Sequence, residues 1–285
     1  MSDAAESARR RLQAVKAKRG YLLPHHGLLA VAAPELLAGY DAAYTALTLQ
    51  KRYLSEHDKE FVWLVVLTAT EEALATHHIR KFRDAGGSEA DLQLAVRLAG
   101  WARSSGCFAF VANEWSGHFP GFDRQQAYRT GLHDLTARTS IGPGLVEMAM
   151  AAAHTCKRGW TELAWHIEGA YAAKVDEYQL AEAISYAMFP GSIPNFVDAC
   201  GVWLELIRVG TVQASEPFLA WAQMEGQGGF DEAAAIADSE LRKLNSVACA
   251  MVMPPVPHST KKSPTSVGSS CARASSSRSS ASAEC

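Results

Sequence analysis

Two histidines stand where an imidazole could move a proton. His78 lies in EEALATHHIRKF, with Glu71 and Glu72 seven and six residues ahead of it, and His166 lies in ELAWHIEGAY, four residues after Glu162. Burial of an imidazole disfavours its charged form, whereas a carboxylate beside it raises its pKa again, which is the tuning that general acid–base catalysis needs. On a helix running from Lys59 to about Ala85, the residues Phe61, Leu64, Val65, Thr68, Glu71 or Glu72, Ala75, His78, Ile79 and Phe82 follow three- and four-residue steps and share one face. Glu71 or Glu72 is then about two turns, ~10 Å, from His78, so that both can point into one pocket. Glu162 and His166 are at i and i+4, neighbours on one helix face. His77 is ~100° further round the helix from His78 and belongs to the surface or to a helix contact. The competing use of these residues is structural, as hydrogen-bonded core histidines and surface ion pairs.

Other chemistries find less to work with. HExxH and the paired Glu-x-x-His of di-iron bundles are missing, so no metal is expected, and neither GxGxxG, a P-loop nor GxSxG occurs. Six cysteines (Cys107, Cys156, Cys200, Cys249, Cys271, Cys285) are scattered without a CxxC, which points to reduced thiols and no local dithiol or zinc site. With 27 basic against 30 acidic residues, the net charge of -3 offers no field for nucleic acid or an anionic membrane. The polar N-terminus has no apolar core for a signal peptide, and no apolar run approaches the ~20 residues of a membrane span, so a cytoplasmic protein is expected.

The elements that position the histidines are helical. Alanine- and leucine-rich windows carry helical spacing and the alternation of strands is missing, which predicts an all-α chain. Helix stops fall at Gly86-Gly87, Gly142 to Gly144 and Pro190-Gly191; Asp58 or Ser55, Ser88 and Asp176 open helices. Residues 76–100 match residues 164–188 at an offset of 88, pairing His78 with His166, Ile79 with Ile167, Glu89 with Glu177, Leu92 with Leu180 and Ala95 with Ala183. Such a match predicts a duplication. The expected organisation is an N-terminal arm (1–19), a first module (20–125), a second module (126–252) and a disordered Ser-, Pro- and Ala-rich tail (253–285). Segments 98–115 and 186–203 interrupt apolar helices with Gly and small polar residues. Trp101, Phe108, Trp115, Tyr186, Phe189 and Phe196 there serve either the core or an apolar site, and Arg103 is one of several polar residues that could hold a substrate carboxylate or carbonyl.

A carboxylate ahead of an inward His, then a Gly turn, then an acidic start to an Ala-rich helix, resembles the carboxymuconolactone decarboxylase family within the alkylhydroperoxidase D-like fold. The resemblance rests on EEALATHHIRKFRDAGGSEADLQLAVRLAG (71–100) and ELAWHIEGAYAAKVDEYQLAEAISYA (162–187), and covers about 55–115 and 145–205; Lys174 replaces the turn glycine in the second copy. It implies two tandem helical modules and a homo-oligomer, a trimer of two-module chains imitating a hexamer. The family's redox branch carries a CxxC ahead of the His; here Leu74 and Glu162 stand four residues before it, and Glu71 and Gly159 stand where the other Cys would be. The resemblance therefore implies the decarboxylase branch, a lyase needing no cofactor and acting on a small lactone or organic acid of aromatic-compound breakdown. His78 or His166, held by Glu72 or Glu162, would supply the proton, Arg80 or Arg103 would anchor a carboxylate, and Trp101 and Phe196 would line the site. The two alternatives are a thiol-dependent peroxide reductase using Cys107 or Cys156, and a helical ligand-binding or assembly module without catalysis.

Overall fold

In the computed structural model, which describes residues 3–227, the chain is helical throughout and no strand occurs among the described residues. In chain order the helices are α1 (Asp3–Arg19), α2 (Pro24–Ala32), α3 (Pro34–Tyr44) with a π-helical turn (Thr45–Leu49), α4 (Glu56–Thr70), α5 (His77–Asp84), α6 (Glu89–Ser104), α7 (Gly106–Glu114), α8 (Arg124–Thr136), α9 (Pro143–Lys157), α10 (Trp160–Ala172), α11 (Glu177–Ser185) with a 3-10 turn (Tyr186–Met188), α12 (Ile193–Arg208) and α13 (Glu216–Gln223). All belong to one compact unit, Met1–Met224. The expected tail (253–285), the end of the expected second module, and Cys249, Cys271 and Cys285 lie outside the described residues.

Helices α4 and α9 form the centre. Every residue from Lys59 to Leu67 in α4 and from Met148 to Cys156 in α9 is buried, so both helices must be covered on all sides. They pack on each other, α4 also on α5 and α6, and α9 on α10 and α11. The small side chains of Ala149, Ala151, Ala152 and Ala153, all fully buried, let neighbouring helices come close to α9. From Leu47 to Ala222 the buried apolar residues make one core, whereas α1 to α3 share a small core of their own around Ala8, Val15, Ala30 and Leu37. Arg19, whose side chain is 1% exposed, fastens that arm to itself by pairing with Asp41 at 2.9 Å and lying 3.9 Å from the centre of the Tyr44 ring.

The helix expected over 59–85 is two helices. It stops at Thr70, Glu71 takes the left-handed conformation (φ 59°, ψ 36°), and α5 starts only at His77. The amides of Glu72 and Glu71 bond back to Leu67 and Thr68 carbonyls at 2.9 and 3.3 Å, a Schellman end built without glycine. Helix α9 stops in the same way, with Arg158 at φ 59° and Gly159 bonding to His154. Periodicity cannot show such a break, since neither Gly nor Pro marks the first of the two. The break has a large consequence, because it frees His78 from the face it would share with Glu71 and Glu72.

The stops after α5 and α10 match as well. Gly87 and Gly86 bond to Phe82 and Arg83, and Val175 and Lys174 bond to Ala170 and Tyr171. Gly86 at φ 92° and Lys174 at φ 57° thus do one job, and the lysine bears the steric strain that glycine escapes. Ser88 then opens α6 with a capping box to Asp91, and Asp176 opens α11 by accepting from Tyr178 and Gln179, as their side chains predict. Replacing Lys174 by Gly should stabilise the protein by about 0.5–1 kcal/mol, the relief of left-handed strain less the added freedom of the unfolded chain. Urea unfolding of the wild type and Lys174→Gly measures it, and a loss of stability would contradict the strain.

Candidate functional site

The partner of His78 comes from the neighbouring helix. Its Nδ1 lies 2.5 Å from Oε2 of Glu60, a residue with no exposure in the middle of α4. A carboxylate in such surroundings is tolerable only when paired, and the imidazole with Lys81, whose Nζ is 3.9 Å from the other oxygen, provides that pairing. With Nδ1 turned to Glu60, Nε2 is the nitrogen left to exchange a proton, and it makes no hydrogen bond among the described residues. The Trp63 ring packs on His78 with 5.0 Å between centres and fixes its plane.

A cavity of about 430 Å³ opens on this pair, within the range of small-ligand sites. His77, His78, Glu72 and Leu74 line it from the α4–α5 side, and Tyr21, Tyr40 and Tyr44 from the N-terminal arm; Trp63 and Phe189 complete the aromatic wall. Neither Lys nor Arg is among its described lining residues. The Tyr21 and Tyr44 hydroxyls bond each other at 2.7 Å. Burial and the neighbouring His78 push His77 down to about 4, so this second imidazole faces the cavity uncharged at neutral pH.

An equivalent pair stands in the other half of the chain. Nδ1 of His166 lies 2.6 Å from Oε2 of Glu147, and Glu147 takes two bonds from Arg129, at 2.7 and 3.0 Å. Burial works against the charge of Glu147, but His166 and Arg129 outweigh it and hold the carboxyl below its usual range. Gly169 makes room for this carboxylate, since a Cβ there would meet Glu147 at 2.5 Å. The His166 ring is sealed, however, although Glu147 is partly exposed and lines with Arg129 a second cavity of about 300 Å³. Tyr128 from α8 sets its hydroxyl 2.8 Å from Nε2 of His166 and 2.8 Å from Nε2 of His154.

Counting protons orders the chain. Nδ1–H of His166 donates to Glu147, Tyr128 donates to His166 Nε2, and Nε2–H of His154 donates to the Tyr128 oxygen, with both rings neutral. Burial lowers the pKa of both histidines, consistent with that assignment. Neither imidazole is exposed.

The remaining expected site residues are dispersed. Glu71 is not a partner of His78: the left-handed turn carries it outward to an exposed ion pair with Arg103 at 2.5 Å, which also takes that arginine from the site. Glu72 lines the cavity but accepts from the Leu74 amide at 2.8 Å rather than from His78. Glu162 is buried beside His166 in α10 yet pairs with Arg124. Arg80 is exposed and outside the cavity lining. Trp101 packs on Phe108 and Tyr128, and Phe196 packs on the main core, so neither reaches the cavity. His77, expected at a surface or helix contact, lines the cavity instead.

The carboxylates that hold the imidazoles, Glu60 and Glu147, lie upstream of the segments 76–100 and 164–188. Carrying their alignment back does not find them in one register, because the offset between the histidines is 88 and between these glutamates 87. A carboxylate eighteen or nineteen residues ahead of each His is the signal that allows for that slip. Among the described residues no three His, Cys, Asp or Glu side chains converge as metal ligands would, and no helix is long and apolar enough to cross a membrane. No protein-family model, curated protein or solved structure matches this chain.

Two outcomes follow from this arrangement. His77, His154 and His166 have folded pKa values below 6.5, so the unfolded chain binds more protons in acid. Their contribution to stability is complete above pH 6.5 and falls as pH drops, for His77 through about 4. Melting temperatures measured from pH 7.5 down to pH 4.5 should therefore decline, and a flat profile would contradict neutral buried rings. Tyr128→Phe leaves two buried ring nitrogens without their partner and should cost about 2 kcal/mol in urea unfolding.

Proposed function

We propose that this chain is a cofactor-independent acid–base enzyme built from two copies of one helical module of the carboxymuconolactone decarboxylase kind, with His78 as the working group. The observation that carries the proposal is the contrast between the histidines of two like Glu–His pairs: Nε2 of His78 is left free beside a cavity, and Nε2 of His166 is closed by Tyr128. The duplication is supported by the matching order of α4, α5, α6 and α9, α10, α11 and by helix ends of the same form at 71 and 158 and at 86 and 174.

In this reading His78 gives or takes a proton through Nε2 at a carbon of the substrate. Glu60 fixes the tautomer and stabilises the imidazolium that forms when Nε2 takes up a proton. In a decarboxylation, loss of CO2 leaves an enolate whose carbon receives the Nε2 proton; in an isomerisation, the same nitrogen removes a proton from one carbon and returns it at another. Among the described residues the cavity lining offers neither Lys nor Arg to hold a carboxylate, which favours proton transfer on a small lactone or related ring over decarboxylation of a diacid.

The thiol alternative has little around it. Cys156 is buried and its thiol is pushed up to about 12 by that burial, Cys107 is exposed on α7, and neither lines the cavity.

Purified protein incubated in D2O with γ-carboxymuconolactone and unsaturated γ-lactones, followed by NMR, tests the reading through CO2 loss or deuterium uptake. Glu60→Gln and His78→Gln should each lower the rate at least a hundredfold, whereas His166→Gln, where it folds, should keep it. Equal rates in wild type and His78→Gln would remove His78 from the chemistry.

A further inference from the structure

The closed histidine, His166, points to what the open one, His78, is shaped to hold. Tyr128 presents a para-alkylphenol to His166, its hydroxyl 2.8 Å from Nε2 while Glu147 holds Nδ1. In the first half Glu60 holds Nδ1 of His78 in the same way, but Nε2 is without a hydrogen bond and a cavity replaces the phenol. Tyr40 stands 88 positions before Tyr128 and does not fill that place. Its ring packs on His25 and Phe189 instead, with 5.1 and 5.5 Å between centres, and it becomes part of the cavity wall.

We infer that the His78 cavity binds an uncharged phenol or enol ring, with its hydroxyl donating to Nε2 of His78 as the Tyr128 hydroxyl does to His166. The inference rests on the reading of His78 as the working group and names its substrate class.

Three observations select this class. The wall of Tyr21, Tyr40, Tyr44, Trp63 and Phe189 suits a flat ring, and about 430 Å³ is ample for one. An anion finds no Lys or Arg on the described wall and meets the carboxylate of Glu72, with Glu60 behind His78. A cation is disfavoured too, because the guanidinium of Arg19 already lies on the rings of Tyr44 and Tyr40, at 3.9 and 5.0 Å from their centres. With that guanidinium, itself held by Asp41, already on their faces, those two rings have less negative charge to offer a second cation.

The test is binding of three ligands of one size by the full chain at pH 7.5, followed by calorimetry and by ligand-observed NMR: 4-methylphenol, 4-methylbenzoate and 4-methylbenzylammonium. The phenol should bind at least tenfold more tightly than either ion. Ala75→Trp, which fills the cavity from the loop between α4 and α5, should weaken the phenol at least tenfold, with an unchanged circular dichroism spectrum and melting profile showing that the fold is kept. Should that variant not fold, the same competition is read from broadening of the His78 ring protons on adding the phenol. Tighter binding of the benzoate or of the ammonium, or phenol binding that leaves both Ala75→Trp and the His78 signals unaffected, overturns the inference. Glu60→Gln separates this from catalysis. Phenol binding kept within about threefold while proton transfer is lost supports both readings, and selective phenol binding with turnover indifferent to Glu60 and His78 supports the ring site alone.

Discussion

A carboxylate held between packed helices has to be answered by a neighbour, and in this protein that requirement is met twice, by the fully buried Glu60 with His78 and by the partly buried Glu147 with His166. Each bond crosses from a central helix to the helix that follows it. For the imidazole to reach back, the chain must leave the central helix, turn, and return alongside it. The left-handed residues Glu71 and Arg158 make that turn, and the Schellman bonds around them keep the carbonyls at the helix ends satisfied. The site and the helical architecture are therefore one constraint seen at two scales.

What surrounds the two pairs then separates their fates. Around Glu147, Arg129 and the absent side chain of Gly169 create a tight polar nest, and Tyr128 completes it with a hydrogen bond to each of two histidines. Neither imidazole of that network is open to a ligand: Nδ1 of His154 has no partner and no access to solvent, and it is Glu147 and Arg129 that reach a second cavity. Around Glu60 the lysine is more distant, and the three N-terminal helices bring a layer of tyrosines that stands off from His78. That arm has its own core and meets the rest through aromatic contacts such as Tyr21 with His77 and Tyr44 with Phe189. A layer held by so few contacts can enclose a cavity without filling it.

The proximity of unlike groups was only partly legible in the chain. Helical periodicity places Glu71, Glu72 and His78 along one continuous face, and the i, i+4 rule joins Glu162 to His166. Both inferences use distance along one helix, and both imidazoles instead take partners from a different helix. Arg103 and Trp101, which lie near a helix break, stay away from the site for a related reason. A break shows that the chain turns but not towards what, so Arg103 turned to Glu71 and Trp101 to Tyr128.

Legible in the chain alone were the all-helical class, the capping residues Ser88 and Asp176, the choice of Ser55 or Asp58 that Ser55 fills, and the breaks at Gly86 and Pro190, whereas the stop expected at Gly142 to Gly144 is the start of α9. The sequence also marked His78 and His166 as inward histidines, and both are buried. These are local properties, written in side-chain shape, backbone preference and a period of 3.6 residues. Which carboxylates hold the rings, which ring meets a cavity, and the presence of tyrosines rather than a cation among the described residues of its wall are matters of packing between helices. Those outcomes depend on where helices far apart in the chain come to rest, and packing between helices leaves no periodic trace along any one of them.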